Sequence, residues 1–181
     1  MAFYAVCTDI DTGRPVYHRC ETGSGEELDW MRASASMPLV SRPVEINGQR
    51  LLDGGVSDPI PLRFFEHIGY DRNVVILTQP ADYRKKPQKH FELIRVLLRR
   101  YPALVERIRG RYVQYNQTLR YIRRAEQEGR IFVVRPPEKL QIGSVEHDAD
   151  RLEAVYQIGR RTGENCIVEM KAFLGQCERH I

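Results

Sequence analysis

The sequence predicts an α/β fold with a mainly parallel sheet, β-hairpins near the N-terminus and a helical C-terminal half. The first 52 residues contain two pairs of short strand-like runs with turn signals between them. Two apolar runs follow, at Asn73–Thr78 and Ile131–Val134, and segments of helical period lie around them. Continuous apolar runs of this length are typical of strands that are covered on both faces in a parallel sheet.

Two hairpins are predicted in the N-terminal part. Phe3–Ile10 and Pro15–Cys20 are strand-like runs joined by the turn residues Asp-Thr-Gly-Arg. A helix is predicted over Glu26–Ser36, and it stops ahead of a proline because proline disfavours the helical conformation at the residue before it. In the second hairpin, Val44–Leu52, the Asn-Gly pair is the preferred type I′ turn.

The remainder of the chain is predicted to be mostly helical. A short helix covers Leu62–Ile68, and a long helical region covers Phe91–Glu128 with a break at Pro102. A closing helix over Asp148–Leu174 contains two internal glycines, at either of which it can be interrupted.

The chain of 181 residues has the length of one domain. We expect a single domain over 1–181, with a sheet-rich half at 1–80, a basic helical region at 89–128, and a strand plus C-terminal helices at 130–181. No apolar run approaches the roughly 20 residues of a membrane span. The first residues also lack the basic segment and the long apolar stretch of a signal peptide.

The cysteines agree with a reducing compartment. Cys7, Cys20, Cys166 and Cys177 have neither the spacing of a metal-binding finger nor the density of a disulfide scaffold. We therefore predict free thiols in a cytoplasmic protein, which can also be peripheral to a membrane.

Positive charge is concentrated in one region. Residues 84–130 carry 14 Lys/Arg and 4 Asp/Glu, net +10, which leaves −6 on the rest of a chain whose total is +4. Apolar residues recur there every three to four positions, as in an amphipathic helix. Three interpretations stay open: a solvated face of a core-facing helix, contact with an anionic membrane, and nucleic-acid binding. No recognised nucleic-acid motif accompanies the charge, so no specific nucleic-acid partner is predicted.

Asp53 precedes Gly54 and Gly55 at the end of the second hairpin, and this is the most reaction-specific motif of the chain. Two glycines permit positive φ and close approach of another element, so the acid can be held at a strand end facing a reacting group. The alternative is a turn in which the carboxylate only accepts hydrogen bonds from nearby backbone N–H groups.

Several segments, in the right order, resemble the patatin-like phospholipases. Thr8–Gly13 is similar to the strand and turn before that family's active-site helix, Arg32–Pro38 to its short Ala/Ser segment ending in proline, and Val44–Gly55 to its hairpin with an Asp-Gly-Gly/Ala motif. The resemblance is strong over Phe3–Leu62 and rests on the general pattern of helices after Phe91. It implies an incomplete three-layer patatin-like domain.

The family cleaves lipid acyl esters with a Ser-Asp dyad whose serine lies in a Gly-x-Ser-x-Gly elbow. The resemblance therefore implies that Asp53 is the catalytic base, that Gly54 and Gly55 shape its approach, and that the substrate is a lipid or phospholipid ester. It implies no cofactor. Asp9 and Asp11 lie in a turn without His or Cys partners, so no metal site is predicted.

The sequence contains no Gly-x-Ser-x-Gly elbow. In the nearest segment, Gly55–Pro59, a proline replaces the second glycine, and Ser57 precedes a helix and does not follow a buried strand. We reject Ser57 as a nucleophile. No supporting His or second carboxylate accompanies Ser34, Ser36 or Ser41 at a motif spacing, and we interpret them as cap and packing residues.

We therefore expect the C-terminal part of a longer hydrolase, which contributes the dyad acid and is inactive alone. A sheet missing its first strands is predicted to self-associate through an exposed edge. The alternative is a truncated, non-catalytic pseudoenzyme that binds a partner or an anionic membrane through its basic helix.

Overall fold

The computed structural model describes residues 2–23, 25–143 and 146–175. The predicted free thiol of Cys177 lies outside the described residues, whereas Cys7, Cys20 and Cys166 are free thiols. In chain order the elements within the described residues are β1 (Phe3–Asp9), β2 (Pro15–Cys20), α1 (Gly25–Ser34), β3 (Val44–Ile46), β4 (Gln49–Asp53), a 3₁₀ turn (Gly54–Val56), α2 (Leu62–His67), β5 (Asn73–Ile76), α3 (Phe91–Leu97), α4 (Pro102–Gln127), β6 (Ile131–Val134) and α5 (Ala149–Gly175).

The contacts between Cα atoms divide the chain into two compact units. The first, unit 1, comprises Met1–Pro61 and Lys85–Leu119, and the second, unit 2, comprises Leu62–Arg84 and Arg120–Ile181. The prediction of one patatin-like domain over 1–181 stays a prediction.

Unit 1 contains a four-stranded antiparallel sheet in the order β2-β1-β4-β3. β1 is central, and its Cys7 lies opposite Asp53 of β4. In the hairpin between β3 and β4, Asn47 has a φ of 49° and Gly48 a φ of 76°. A type I′ turn requires positive φ at both positions, so the predicted hairpin and its turn residues agree with the structure.

A mainly parallel sheet is not confirmed. Within the described residues the parallel pairing is that of β5 with β6, a two-stranded sheet in unit 2. The N-terminal strand pairs are joined by short turns, which connect antiparallel neighbours only. β5 is not covered on both faces either, because the side chain of Ile76 is 75% exposed.

The two faces of the unit 1 sheet carry separate apolar clusters. Leu51 packs in a cluster with Cys7 of β1 and Trp30 of α1. Its neighbour Leu52 packs in the other cluster, with Leu104 of α4. Successive side chains of a strand point to opposite faces, so one β4 residue pair anchors α1 on one side and α4 on the other.

The predicted break at Pro102 agrees with the structure, since α3 ends at Leu97 and α4 begins at the proline itself. Proline suits the first helical position because its missing N–H has no intrahelical partner there. α5 runs without interruption through Gly159 and Gly163, because a single glycine costs only about 1 kcal/mol relative to alanine in a helix. None of the helices within the described residues has both the length and the hydropathy of a transmembrane span.

Candidate active site

Asp53 ends β4 and begins the 3₁₀ turn Gly54–Val56, with its side chain half-buried. Its Oδ1 accepts a hydrogen bond from the N–H of Gly55 at 2.7 Å. This is the interaction that a purely structural turn would also make. It occupies one carboxylate oxygen, and in the described part of the chain Oδ2 accepts no hydrogen bond, so the second oxygen is available to a reacting group.

Gly54 is required by the close approach of β1. A Cβ at this position would lie 2.3 Å from the carbonyl oxygen of Val6 and 2.5 Å from its carbonyl carbon. Neither Gly54 nor Gly55 has positive φ. Two reasons for glycine follow from the sequence here, positive φ and the close approach of another element. The second applies, and it applies to Gly54.

A chain of hydroxyl groups holds the backbone of the Asp53 loop. Thr8 Oγ1 donates a hydrogen bond to the carbonyl oxygen of Asp53 at 2.8 Å. Thr8 Oγ1 also lies 2.8 Å from Ser57 Oγ. A hydroxyl has one proton, so Ser57 is the donor in this pair. Ser57 is fully buried and its proton is engaged, which supports its rejection as a nucleophile.

The Arg32–Pro38 segment contacts the same loop. The N–H of Asp53 donates to the carbonyl oxygen of Ser36 at 2.8 Å. Ser36 Oγ donates to the carbonyl oxygen of Arg32, and Ser34 Oγ donates to that of Val6, each at 2.8 Å. The structure thus brings the three resembling segments together around Asp53, and these serines have structural hydrogen bonds.

The first acidic turn is structural as well. Asp9 Oδ1 accepts hydrogen bonds from the N–H groups of Asp11 at 2.8 Å and Thr12 at 3.1 Å, the pattern of an Asx turn. The described residues contain no group of three or more His, Cys, Asp or Glu side chains arranged to hold a metal ion.

Two residues of α4 bind the Asp53 loop from the other side. Arg111 Nε donates to the carbonyl oxygen of Gly55 at 2.7 Å, and Gln114 Nε2 donates to that of Ser57 at 2.6 Å. Sequence reasoning did not single out these residues for the site. They lie more than 50 positions from the motif. In the sequence, Arg111 is one of the 14 Lys and Arg residues of the basic region 84–130. No local signal distinguishes it from the other arginines there.

Asp53 and Arg111 face a common cleft of about 210 Å³. They are the two charged residues of its lining. The other lining residues are apolar apart from one amide: Met37, Pro38, Leu39, Val40, Val56, Gln88, Ile94 and Ile108. All ten belong to unit 1. The cleft therefore combines an acid, a cation and an apolar wall.

Cys7 is not a substitute nucleophile. Burial, the neighbouring Asp53 charge and Cys20 raise the pKa of its thiol to about 12. The thiol donates to the carbonyl oxygen of Trp30 at 3.6 Å and is fully buried. Because a thiolate is the reactive form, a thiol with this pKa is inert at neutral pH.

Comparison with protein families identifies two segments. Residues 5–65 match the family described as patatin-like phospholipase. Residues 101–175 match a domain of unknown function, DUF6363. The first segment contains Asp53 with the strands around it, and the second contains both α4 residues that bind its loop.

Two curated relatives are similar to parts of this chain. The uncharacterized protein YjjU of Escherichia coli (strain K12) is 30% identical over 138 residues, which are 75% of this chain and 39% of that protein. The uncharacterized NTE family protein Rv1063c of Mycobacterium tuberculosis (strain ATCC 25618 / H37Rv) is 31% identical over 74 residues, 41% of this chain and 19% of that protein. The chain thus spans well under half the length of these relatives.

The chain thus combines a mixed α/β fold, a helical C-terminal half and an Asp-Gly-Gly loop at the edge of a cleft. Its segment 5–65, which contains that loop, matches the patatin-like phospholipases.

Proposed function

We propose that Asp53 is the base of a Ser-Asp dyad that hydrolyses carboxylic esters of lipids. The serine would come from a Gly-x-Ser-x-Gly segment outside these 181 residues. The observation that carries the proposal is the state of the carboxylate: Gly55 N–H fixes Oδ1, and Oδ2 has no partner in the described part of the chain. Two findings support it. Residues 5–65 match the patatin-like family, and the chain covers only 39% of the length of YjjU.

The chemistry follows from that geometry. Oδ2 takes the proton of the serine hydroxyl while the serine oxygen attacks the ester carbonyl, because a hydroxyl is a weak nucleophile until a base lies within hydrogen-bond reach. The protonated carboxyl then gives its proton to the leaving alcohol, and an acyl-serine remains. Water, deprotonated by the same carboxylate, releases the fatty acid and restores the serine.

The 181-residue chain alone should be inactive. A fluorophosphonate probe, which forms a covalent bond with activated serines, is expected to leave it unlabelled. A gene product that joins a Gly-x-Ser-x-Gly segment to this chain should be labelled at that serine, and Asp53→Asn should slow the labelling. Stoichiometric labelling of any serine in the 181-residue chain would contradict the proposal.

A second proposed function is non-catalytic binding to an anionic membrane surface through the basic region. Four exposed cations, Lys86, Lys89, Arg99 and Arg100, form no ion pair within the described residues. Three apolar side chains of the neighbouring α3, Leu93, Val96 and Leu97, are 58–60% exposed. Each basic residue near an anionic bilayer can contribute about 1 kcal/mol to binding.

Flotation of the chain with vesicles separates this function from the first. Salt-sensitive flotation with vesicles that contain phosphatidylserine, loss of flotation after the four cations are replaced by Gln, and no hydrolysis in any longer gene product would favour the non-catalytic function. Equal flotation with neutral vesicles would contradict it.

A further inference from the structure

The guanidinium of Arg111 lies in the Asp53 cleft with part of its donor capacity unused. We propose that Arg111 binds the anionic group, a phosphate or a carboxylate, of an amphiphilic lipid substrate whose ester bond lies at Asp53. This inference deepens the proposed function and rests on it for the identity of the reacting ester, whereas the binding of the anion can be measured without any reaction.

One hydrogen bond orients the guanidinium of Arg111 and leaves its other donors unused by the described residues. Its Nε donates to the carbonyl oxygen of Gly55 at 2.7 Å, and its Nη2 is near the same residue, 3.5 Å from where a Cβ of Gly55 would stand. The Nη atoms donate no hydrogen bond to a described residue. The planar guanidinium is therefore oriented by one bond while its other donors, which suit the oxygens of a phosphate or carboxylate, remain available.

The charge around Arg111 also favours an anion. No ion pair joins Arg111 to an acid in the described part of the chain, and Asp53 is the one acid that lines the cleft. Lys85 is close enough to Arg111 that burial and the arginine's charge together lower the pKa of its ammonium group. Arg111 and Lys85 together carry two positive charges against the single negative charge of Asp53, which leaves a net positive potential that an anionic ligand neutralises.

The remaining walls indicate what the anion is attached to. Loop residues Met37–Val40, Val56 of the 3₁₀ turn and Ile94 of α3 make most of the lining apolar. A free inorganic anion gains nothing from such walls, whereas a hydrocarbon chain attached to the anion buries apolar area against them. The cleft therefore suits an amphiphile with one anionic group more than a free anion.

The inference also gives a role to one part of the domain of unknown function. Arg111 lies within the matched range 101–175, while Asp53 lies within the patatin-like range 5–65. In unit 1, α4 would then supply the anion-binding group and the patatin-like segment would supply the base.

A binding experiment on the 181-residue chain tests the inference. Hexyl phosphate, hexanol and inorganic phosphate are titrated separately, with ³¹P line widths for the phosphates and ¹⁵N-edited arginine Hε signals for all three ligands. Hexyl phosphate is expected to shift the Arg111 Hε signal and to bind at least tenfold more tightly than inorganic phosphate or hexanol. Arg111→Gln should weaken its binding about ten- to hundredfold, the range for a hydrogen bond to a charged group. Arg111→Lys, which keeps the charge and loses the planar donors, should be intermediate.

Arg120→Gln is the matched control, because Arg120 is an exposed arginine of the same helix and its loss should leave binding unchanged. Thermal unfolding of each variant shows whether the fold is kept. Three results would overturn the inference: equal binding by folded Arg111→Gln and the unsubstituted chain, equal affinity for inorganic phosphate and hexyl phosphate, or equal affinity for hexanol. Loss of esterase activity in a longer gene product after Asp53→Asn tests the proposed function alone and leaves this result unaffected.

Discussion

At the scale of single residues, the Asp53 loop is specified by space and by hydrogen bonds. A side chain at position 54 would have no room beside Val6. The hydroxyl of Thr8 donates to the carbonyl oxygen of Asp53 and is itself hydrogen-bonded to Ser57. The carboxylate therefore has one orientation, set by the N–H of Gly55. Such fixed geometry is what a carboxylate base needs, because its efficacy depends on a short distance to the proton it accepts.

Gly54→Ala should destabilise the protein strongly. The added Cβ would lie 2.3 Å from the carbonyl oxygen of Val6, so β1 and the loop must separate, and overpacking of this kind costs about 1–3 kcal/mol or more. Urea unfolding measures the change. Gly110→Ala is the matched control, since nothing lies within 4 Å of its new Cβ in α4 and alanine should stabilise the helix by about 0.5–1 kcal/mol. Similar stabilities for the two variants would contradict the close-approach argument.

Because of Cys7, the free energy of unfolding of the protein should fall at alkaline pH. The pKa of the Cys7 thiol is raised from an ordinary value of 9.0 to about 12, so the buried neutral thiol contributes stability that is complete below pH 9 and is lost as pH rises from 9 towards 12. The slope for one such group approaches about 1.4 kcal/mol per pH unit. The free energy of unfolding of Cys7→Ala should therefore fall less steeply over this range than that of the unsubstituted chain. Parallel pH profiles would contradict the assignment.

The residues of the site differ in how far the sequence could predict them. Asp53 and Gly54 lie in a contiguous motif, and its chemistry can be predicted from the residue types alone. Arg111 and Gln114 reach the loop from α4 through contacts to backbone carbonyls, and any long polar side chain on that helix face could make such contacts. Their role depends on the packing of α4 against β4, which composition and period do not specify.

At the scale of elements, α4 is the support of the candidate site in unit 1. Leu104 is fully buried in the cluster that contains Leu52 and Val56, on either side of Asp53 in sequence. Arg111 and Gln114 follow two and three turns further along the helix and bind the loop directly. The apolar anchor and the polar contacts therefore act on the same loop.

Leu104→Ala should cost about 2–5 kcal/mol, because it leaves a cavity in this cluster. Leu93→Ala is the control, since Leu93 of α3 is 60% exposed and surface changes stay within about 0.5 kcal/mol. Both free energies come from urea unfolding. If the two substitutions cost the same, α4 does not pack on the loop as described.

The hairpins and the break at Pro102 could be predicted because each depends on a few adjacent residues with restricted backbone angles. The overall pairing of the strands could not. β5 and β6 pair in parallel, as their apolar runs indicate, but the central pairing of β1 with β4 joins residues 42 to 46 positions apart. Long-range pairing of this kind leaves no local signature.

In the whole molecule, the charged surface and the open sheet edges are the features through which it can bind other molecules. The two-stranded sheet of unit 2 has one neighbour for each strand within the described residues, and Ile76 on β5 is 75% exposed. A two-stranded sheet is marginally stable by itself, and open strand edges pair readily with other chains. The predicted self-association therefore remains our proposal, with β5 and β6 as the surface.

Sedimentation velocity tests that proposal. The chain is expected to show concentration-dependent association, and Ile76→Lys should reduce it, because a charge on an edge strand opposes pairing. A monodisperse monomer at all concentrations would contradict it.

The role of Asp53 as the base can be measured by the hydrolysis of a short-chain nitrophenyl ester by a gene product that contains this chain together with a Gly-x-Ser-x-Gly segment. Asp53→Asn preserves an oxygen that can accept the Gly55 N–H and removes the base. If Asp53 is the base, kcat falls about 10²- to 10⁴-fold in this variant with unchanged thermal unfolding. Glu45→Gln, which changes an exposed residue of β3, should have no effect. A folded Asp53→Asn enzyme that keeps more than half of its activity would contradict this role of Asp53.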